Sequence, residues 1–298
     1  MTLHPRVDAI TLPSFGRLAP IHIKRDDLIH PVVSGNKLFK LTEHIRRFKQ
    51  DNYAALVTFG GAFSNHLHAT AYYCCENQIP CHLIIRGEAS AASNPTLLDC
   101  QRWGAQLHFI SRHDYRQKEA APAVQTIIKS LEKPYVVPEG GGGPIGALGA
   151  RAIMDQVQGF DHIVVASGTG TTAAGIIAAA QNGRVHAMPV LKGASWMKQE
   201  IDVLLRELPR LGQADWKVHT EFHFGGYGKV SEDLLRFIDV VQDEAGLELD
   251  GIYTAKAFYG LKQLIATGEI AENESVLFIH TGGLQGNRGL GGVGDPNG

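Results

Sequence analysis

From residue 55 onward the chain alternates short apolar runs with longer amphipathic ones, and few architectures accommodate that order. The runs ALVTF (55–59), CHLII (81–85), QLHFI (106–110), YVV (135–137), HIVVA (162–166), VHAMPV (185–190) and VLFIH (276–280) have the length and composition of buried strands. Helices are expected from about Asn65, near 95–103, over 117–131 and 145–157, from about Thr172 to Ala180, over 195–206, and near 231–245 and 254–267. A strand that returns parallel to its predecessor needs a crossover of a dozen or more residues, and these helices supply it. The pattern predicts an α/β chain with doubly wound, mostly parallel sheets. PEGGGGPIG (138–146), with five glycines and two prolines, interrupts it and reads as a hinge or a crossing between domains.

Composition narrows the function classes. Of 298 residues 44% are apolar, enough to fill a large core, and 28 basic residues nearly balance 30 acidic ones. A net charge of -2 gives no electrostatic reason to expect nucleic acid or an anionic membrane as partner. The four cysteines, Cys74, Cys75, Cys81 and Cys100, form neither a disulfide framework nor a CxxC pair, which points to a reducing, cytoplasmic setting. The N-terminus lacks a basic stretch followed by a sustained apolar one, so no secretory signal is expected. Residues 163–182 carry no charge, but SGTGTTAAG at their centre is too polar for a membrane span and reads as strand, loop and helix start.

That loop carries the strongest local chemistry. A strand feeds a glycine-rich turn that opens a helix, an arrangement whose backbone N–H groups and dipole bind phosphate. Gly168 and Gly170 permit close backbone approach, and Thr169, Thr171 and Thr172 offer hydroxyls. A dinucleotide site would need an acid at the end of the next strand, where VHAMPVLKG has Lys192, and no GxxxxGK loop occurs. A single phosphate monoester fits better, with a purely structural turn as the bland alternative. In IKRDDLIHPVVSGNKLFKL, the Ser-Gly-Asn group sets Lys37 at the start of an amphipathic helix, badly placed for the helix dipole. Taken singly, Lys37 reads as a solvated lysine like Lys40. TFGGAFSNHLHATA (58–71) then places Ser64, Asn65 and His66 between a strand's C-terminal end and a helix N-terminus, where ligands collect in α/β sheets.

Together, KRDD…SGNKxxKL, GGAFSNH, SGTGTT, FGGYGK (224–229), DGIYTAKAFYGL (250–261) and FIHTGG (278–283) resemble the D-cysteine desulfhydrase and 1-aminocyclopropane-1-carboxylate deaminase family. This family lies in the tryptophan synthase β group, fold type II of pyridoxal phosphate enzymes. The resemblance runs from about residue 20 to 283 in the expected block order. It implies two α/β domains: a small substrate-side one over 46–143, and a large cofactor-binding one over 1–45 and 144–298. It further implies that Lys37 carries pyridoxal 5'-phosphate as a Schiff base and shuttles the Cα proton, and that Asn65 bonds the cofactor's phenolic oxygen. Ser167, Gly168, Thr169, Gly170, Thr171 and Thr172 would hold the phosphate. Ser64, Asn65 and His66 would bind the substrate carboxylate, and Tyr227 and Tyr253 are the family's active-site tyrosines, with packing as the bland reading. A homodimer acting on a small amino acid is implied as well.

Two positions bear on the reaction. Where the cyclopropane deaminases place a glutamate that protonates the pyridine nitrogen, this chain has Thr254; in FIHTGG it has the desulfhydrase threonine, Thr281, as partner of that nitrogen. A neutral hydroxyl stabilises a pyridinium less than a carboxylate does, which favours β-elimination of a thiolate over ring opening. The expected products are pyruvate, ammonia and sulfide, with 1-aminocyclopropane-1-carboxylate deaminase or D-serine dehydratase activity as alternatives. EGGGGP in place of a GGSNP-like run, Lys229 in the tyrosine loop and a compact segment at 86–96 depart from the family pattern. Rival classes are a nucleotide-dependent oxidoreductase, resting on the glycine loop alone, and a metal hydrolase built on His66, His68, Cys74 and Cys75. That spacing is weak and no metal ligands are expected.

Overall fold

The strands sort into two sheets in a computed structural model that describes residues 6–89, 93–155 and 157–289. The smaller sheet contains β3 (Ala55–Gly61), β4 (Cys81–Arg86), β5 (Gln106–Ile110) and β6 (Pro134–Val137) in the order β5-β4-β3-β6, all parallel. The larger has the order β1-β2-β10-β7-β8-β9 and is built from β1 (Val7–Ile10), β2 (Ile21–Lys24), β7 (His162–Ser167), β8 (Arg184–Pro189), β9 (Asp215–Val218) and β10 (Val276–Ile279). Only the β1–β2 pair is antiparallel. The expected α/β class with mostly parallel sheets is what the chain adopts.

Every strand read from the sequence is present. The three it lacked, β1, β2 and β9, are four residues each and lie at or beside an edge; VDAI and DWKV alternate exposed with half-buried positions, so neither forms an apolar run. The helix expected over 117–131 is instead α4 (Arg112–Gln117) and α5 (Pro122–Lys129). Pro122 cannot continue a helix from Ala121, which is extended, and Lys118 lies at φ 50°. The remaining helices are α1 (Asn36–Gln50), α2 (Asn65–Glu76), α3 (Pro95–Arg102), α6 (Gly143–Ala150), α7 (Thr171–Ala179), α8 (Met197–Glu207), α9 (Glu232–Ala245) and α10 (Thr254–Ala266). The helix expected over 145–157 starts earlier and tightens into a 3-10 turn at Arg151–Met154.

The small sheet draws on residues 55–137 alone, and the large one on both flanks of that stretch. The expected division at 45/46 falls inside α1, which is continuous. The larger sheet has core on both faces. Ile163, Val165, Val185 and Ala187 meet α7 and α8, whereas Val164, Ala166, Met188 and Phe278 meet α9 and α10. All nine residues of α7 are buried, which explains its apolar, alanine-rich sequence. Truncating Ile176 or Ile177 there would cost about 2–5 kcal/mol. A Cβ at Gly175 would sit 2.5 Å from the Ala147 carbonyl of α6, so a glycine is required for the two helices to approach. This packing fixes the start of α7 just beyond the C-terminal end of β7, as α2 is fixed beyond β3.

Candidate active site

These two helix starts, with the start of α1 and the loop after β10, enclose a cavity of about 660 Å³. Its walls include Lys37, Ser64, Asn65, His66, Ser167, Gly168, Thr169, Gly170, Thr172, Tyr227, Tyr253 and Thr281, all singled out from the sequence. Residues 37 and 281 are thus brought into one site with residues from both sheets.

Lys37 owes its position to Gly35. Gly35 has φ 63° and ψ -151°, and a Cβ there would fall 1.8 Å from the Thr281 carbonyl oxygen. Only glycine lets α1 begin against that loop, where Asn36 N–H donates to the same oxygen at 3.3 Å. Asn36 Nδ2 also donates to Thr172 Oγ1 at 2.9 Å, fastening α1 to the start of α7. Burial pushes the Lys37 amine down from 10.5 to about 8. Lys40, one turn on, is 2% exposed and lies well below the usual lysine range through burial and the nearby Lys37 charge. The cavity therefore holds two lysines.

The glycine loop is only partly satisfied by its own contacts. Ser167 Oγ is buried with no hydrogen-bond partner, and Gly170, at φ 77°, starts α7 with no side-chain cap. Thr169 and Thr171 pair their hydroxyls at 3.0 Å; Thr171 stands behind the wall rather than in it. The unpaired N–H groups of the first helical turn, the dipole and the orphaned hydroxyl together form an anion seat.

At α2, Ser64 Oγ accepts from Leu67 N–H at 3.3 Å and caps the helix. Asn65 Nδ2 donates to the Gly283 carbonyl at 3.3 Å, and its Oδ1 accepts from Gln285. His66 turns inward: Nε2 meets Thr58 Oγ1 at 2.7 Å and Nδ1 meets Thr70 Oγ1 at 3.5 Å. Burial, then Lys37 and Lys40, holds its ring neutral. In this geometry the His66 ring supports the turn.

A profile of the family described as "Pyridoxal-phosphate dependent enzyme" matches residues 6–282. The chain belongs to this family. A Pyrococcus horikoshii protein provisionally named a 1-aminocyclopropane-1-carboxylate deaminase is 33% identical, with 95% of this chain and 93% of that protein covered. The bifunctional D-cysteine desulfhydrase/1-aminocyclopropane-1-carboxylate deaminase of Arabidopsis thaliana mitochondria is 32% identical over 92% of this chain and 75% of its own. The crystal structure of a 1-aminocyclopropane-1-carboxylate deaminase homologue superposes with a TM-score of 0.80 at 27% identity, covering 96% of this chain and 92% of that one. The resemblance read from the motifs thus holds, the fold is type II, and the nucleotide-dependent oxidoreductase is set aside because the glycine loop belongs to a pyridoxal phosphate enzyme.

The site fits that cofactor. The orphaned Ser167 hydroxyl and the uncapped start of α7 suit a phosphate, and the depressed Lys37 suits an amine that must react while neutral. Tyr227 and Tyr253 meet edge to face at the cavity, with ring centroids 5.9 Å apart. Burial raises both hydroxyl pKa values, so each keeps its proton at neutral pH. Thr281 lines the wall; Thr254 does not. Its hydroxyl donates to Asp250 Oδ2 at 2.6 Å, and Asp250 also caps α10 through the N–H groups of Ile252, Tyr253 and Thr254. Cavity residues not singled out from the sequence include Arg86, Asp99, Glu139, Gln285 and Arg288. Arg86, Asp99, Gln285 and Arg288 lie outside the matching blocks, and Glu139 opens the glycine run that departs from the family pattern, so no motif marked them.

His66, His68, Cys74 and Cys75 do not converge. His68 faces Asp99 and Trp103, Cys74 lies in the core and Cys75 is exposed.

Proposed function

We propose that this enzyme is a lyase performing β-elimination on a small amino acid, D-cysteine desulfhydrase-like, converting D-cysteine and water to pyruvate, ammonia and hydrogen sulfide. The observation that carries it is the meeting, in one cavity, of Lys37 with its lowered pKa and the partnerless Ser167 at the anion loop. Bound pyridoxal phosphate, seated on residues 167–172, supplies an electron sink for the charge left when a proton leaves Cα.

The chain's own residues do the rest. Lys37, partly neutral near pH 7, takes the Cα proton. The N–H groups at the start of α2, with Ser64 and Asn65, hold the substrate carboxylate. Tyr253, and Tyr227 above it, place hydroxyl protons at the cavity, where the leaving sulfur can be protonated. Every acid in the wall is neutralised: Asp27 by Arg25, Asp99 by Arg288 and Glu139 by Lys118. With Thr281 as a neutral partner and Thr254 committed to Asp250, no unpaired carboxylate among the described residues faces the cavity. This supports elimination of a good leaving group over cyclopropane opening.

Ring opening is the second reading, favoured by the relatives' names; a D-serine dehydratase activity is the third. Assays of keto acid and ammonia from D- and L-cysteine, D-serine, β-chloroalanine and 1-aminocyclopropane-1-carboxylate decide among them. Turnover of the cyclopropane substrate above D-cysteine would overturn the proposal. A homodimer in a reducing cytoplasm belongs to the same proposal. The four cysteines are free thiols, and no helix of the described residues is long and apolar enough to cross a membrane.

A further inference from the structure

On the face of the large sheet covered by α9 and α10, three histidines form a diagonal. His162 lies opposite Arg184 and His186 lies opposite Lys217. Moving to the next strand, each histidine is two positions beyond its neighbour's register partner, and a step of two preserves the face. His219 continues the diagonal past the end of β9, its N–H donating to the Ala187 carbonyl at 3.0 Å. All three are 5% exposed or less. Their rings form a chain: Glu274 Oε2 to His162 Nε2 at 3.0 Å, His162 Nδ1 to His186 Nε2 at 2.9 Å, and His186 Nδ1 to His219 Nε2 at 2.9 Å. His219 Nδ1 faces Glu221 Oε1 at 3.6 Å.

The protons of this chain can be assigned from its ends. The Glu274 carboxylate, held ionised chiefly by the Ala271 N–H, can only accept, so His162 carries its proton on Nε2. His162 Nδ1 is then a lone pair and takes a proton from His186 Nε2, which leaves His186 Nδ1 bare. At the other end, His219 Nδ1 faces the Glu221 carboxylate at 3.6 Å, and a proton on Nδ1 bares Nε2. In that tautomer two imidazole lone pairs point toward each other across 2.9 Å. A shared proton would fill the gap only by placing an imidazolium where His186 and His219 are each 1% exposed or less. Glu269 completes the group: one ligand atom from each of His186, His219 and Glu269 lies within 4.8 Å of the other two.

We propose that His186 Nδ1, His219 Nε2 and a Glu269 carboxylate oxygen bind a divalent transition-metal ion of the zinc type, with water in a fourth position. Two imidazoles and one carboxylate suit zinc or cobalt and disfavour magnesium and calcium, which take all-oxygen sets. The outer nitrogen of His186 is already held, as metal-bound histidines require, by His162 and through it Glu274, and that of His219 faces Glu221 at 3.6 Å. Lys217 now donates to both Glu269 oxygens, at 2.8 and 3.0 Å. Its side chain is 51% exposed and can swing into solvent, so the ion replaces one positive charge with another. None of these residues lines the active-site cavity. The ion would clamp β8 and the end of the edge strand β9 to the turn after α10, a stabilising role.

The test uses holoenzyme, with cobalt and zinc titrated separately. The expected result is one ion per chain, tetrahedral visible absorption for cobalt, and a Tm raised by roughly 5 °C at zinc a hundredfold above its Kd. Glu269→Gln, a shape-preserving change on a partly exposed side chain, should weaken binding at least tenfold, and Lys217→Met should tighten it. His219→Asn should abolish the cobalt spectrum. No binding up to millimolar zinc would overturn the proposal. So would binding that all three variants leave unchanged, since the ion would then sit elsewhere, on Cys75 or at the cofactor.

Discussion

The starts of α7 and α2 are built alike and finished differently. Each follows the C-terminal end of a parallel strand, β7 in one sheet and β3 in the other, and each borders the same cavity. At α2 the turn satisfies itself: Ser64 caps the helix, Asn65 is bound to Gly283 and Gln285, and His66 is bound to Thr58. At α7 the cap is a bare glycine and Ser167 has no partner. A buried unsatisfied hydroxyl costs about 1–3 kcal/mol, so the α7 loop is complete only with an anion in place. The α2 turn is complete alone, as suits the proposed role of its remaining N–H groups toward a substrate that comes and goes.

Substitutions can break this contrast, beginning with the lysine in the first turn of α1. Lys37→Ala should lower kcat by about 10³–10⁴-fold in a steady-state keto-acid assay, the scale of losing a positioned base. If Lys40→Ala gave that loss and Lys37→Ala did not, the roles of the two lysines would be reversed. Ser167→Ala should leave the apoenzyme's Tm unchanged or slightly raised, because no protein contact is lost, yet weaken pyridoxal phosphate binding by about 10- to 100-fold, the scale of a hydrogen bond to a charged group. Ser64→Ala should do the opposite, costing the apoenzyme about 1 kcal/mol by denaturant unfolding with cofactor affinity unchanged. Equal behaviour of the two serine variants would erase the distinction between the helix starts.

The smallest effect is in pH. Because Lys37 titrates near 8 when folded and near 10.5 otherwise, the unfolded chain binds more protons between those values. Apoenzyme stability should therefore rise with pH across that window, with the burial cost fully present below about 8. Over the same acid side, cofactor uptake should quicken with pH and level off above about 8 as the amine becomes neutral. A rate still climbing steeply at pH 10 would show an ordinary lysine.

Much of this was legible in the residues. HIVVA followed by SGTGTTAAG read as a buried strand feeding a helix through a glycine-rich loop, with an anion seat preferred to a purely structural turn, and the block order identified the cofactor. The edge strands β1 and β9 were not legible, because four half-exposed residues carry too little apolar pattern to stand out from a loop. The site was legible only in its motifs. Asn36 lies inside SGNK, yet its bond to Thr172 spans 136 positions. Thr254 was read correctly as a non-acid, but its commitment to Asp250 could not be seen.

The histidines mark that boundary most clearly. The spacing that the sequence offered, His66 with His68 and the adjacent cysteines, does not converge, whereas His162, His186 and His219 have no spacing at all and form one chain. Local order fixed the alternation of strand and helix and the glycine-rich loop that opens α7, since each depends on neighbours a few residues apart. Tertiary structure alone decided that Lys37 and Lys40 share the cavity with their basicity lowered, which acids are neutralised there, and which histidines touch. Those follow from strand register and burial, which bring together groups tens to hundreds of residues apart.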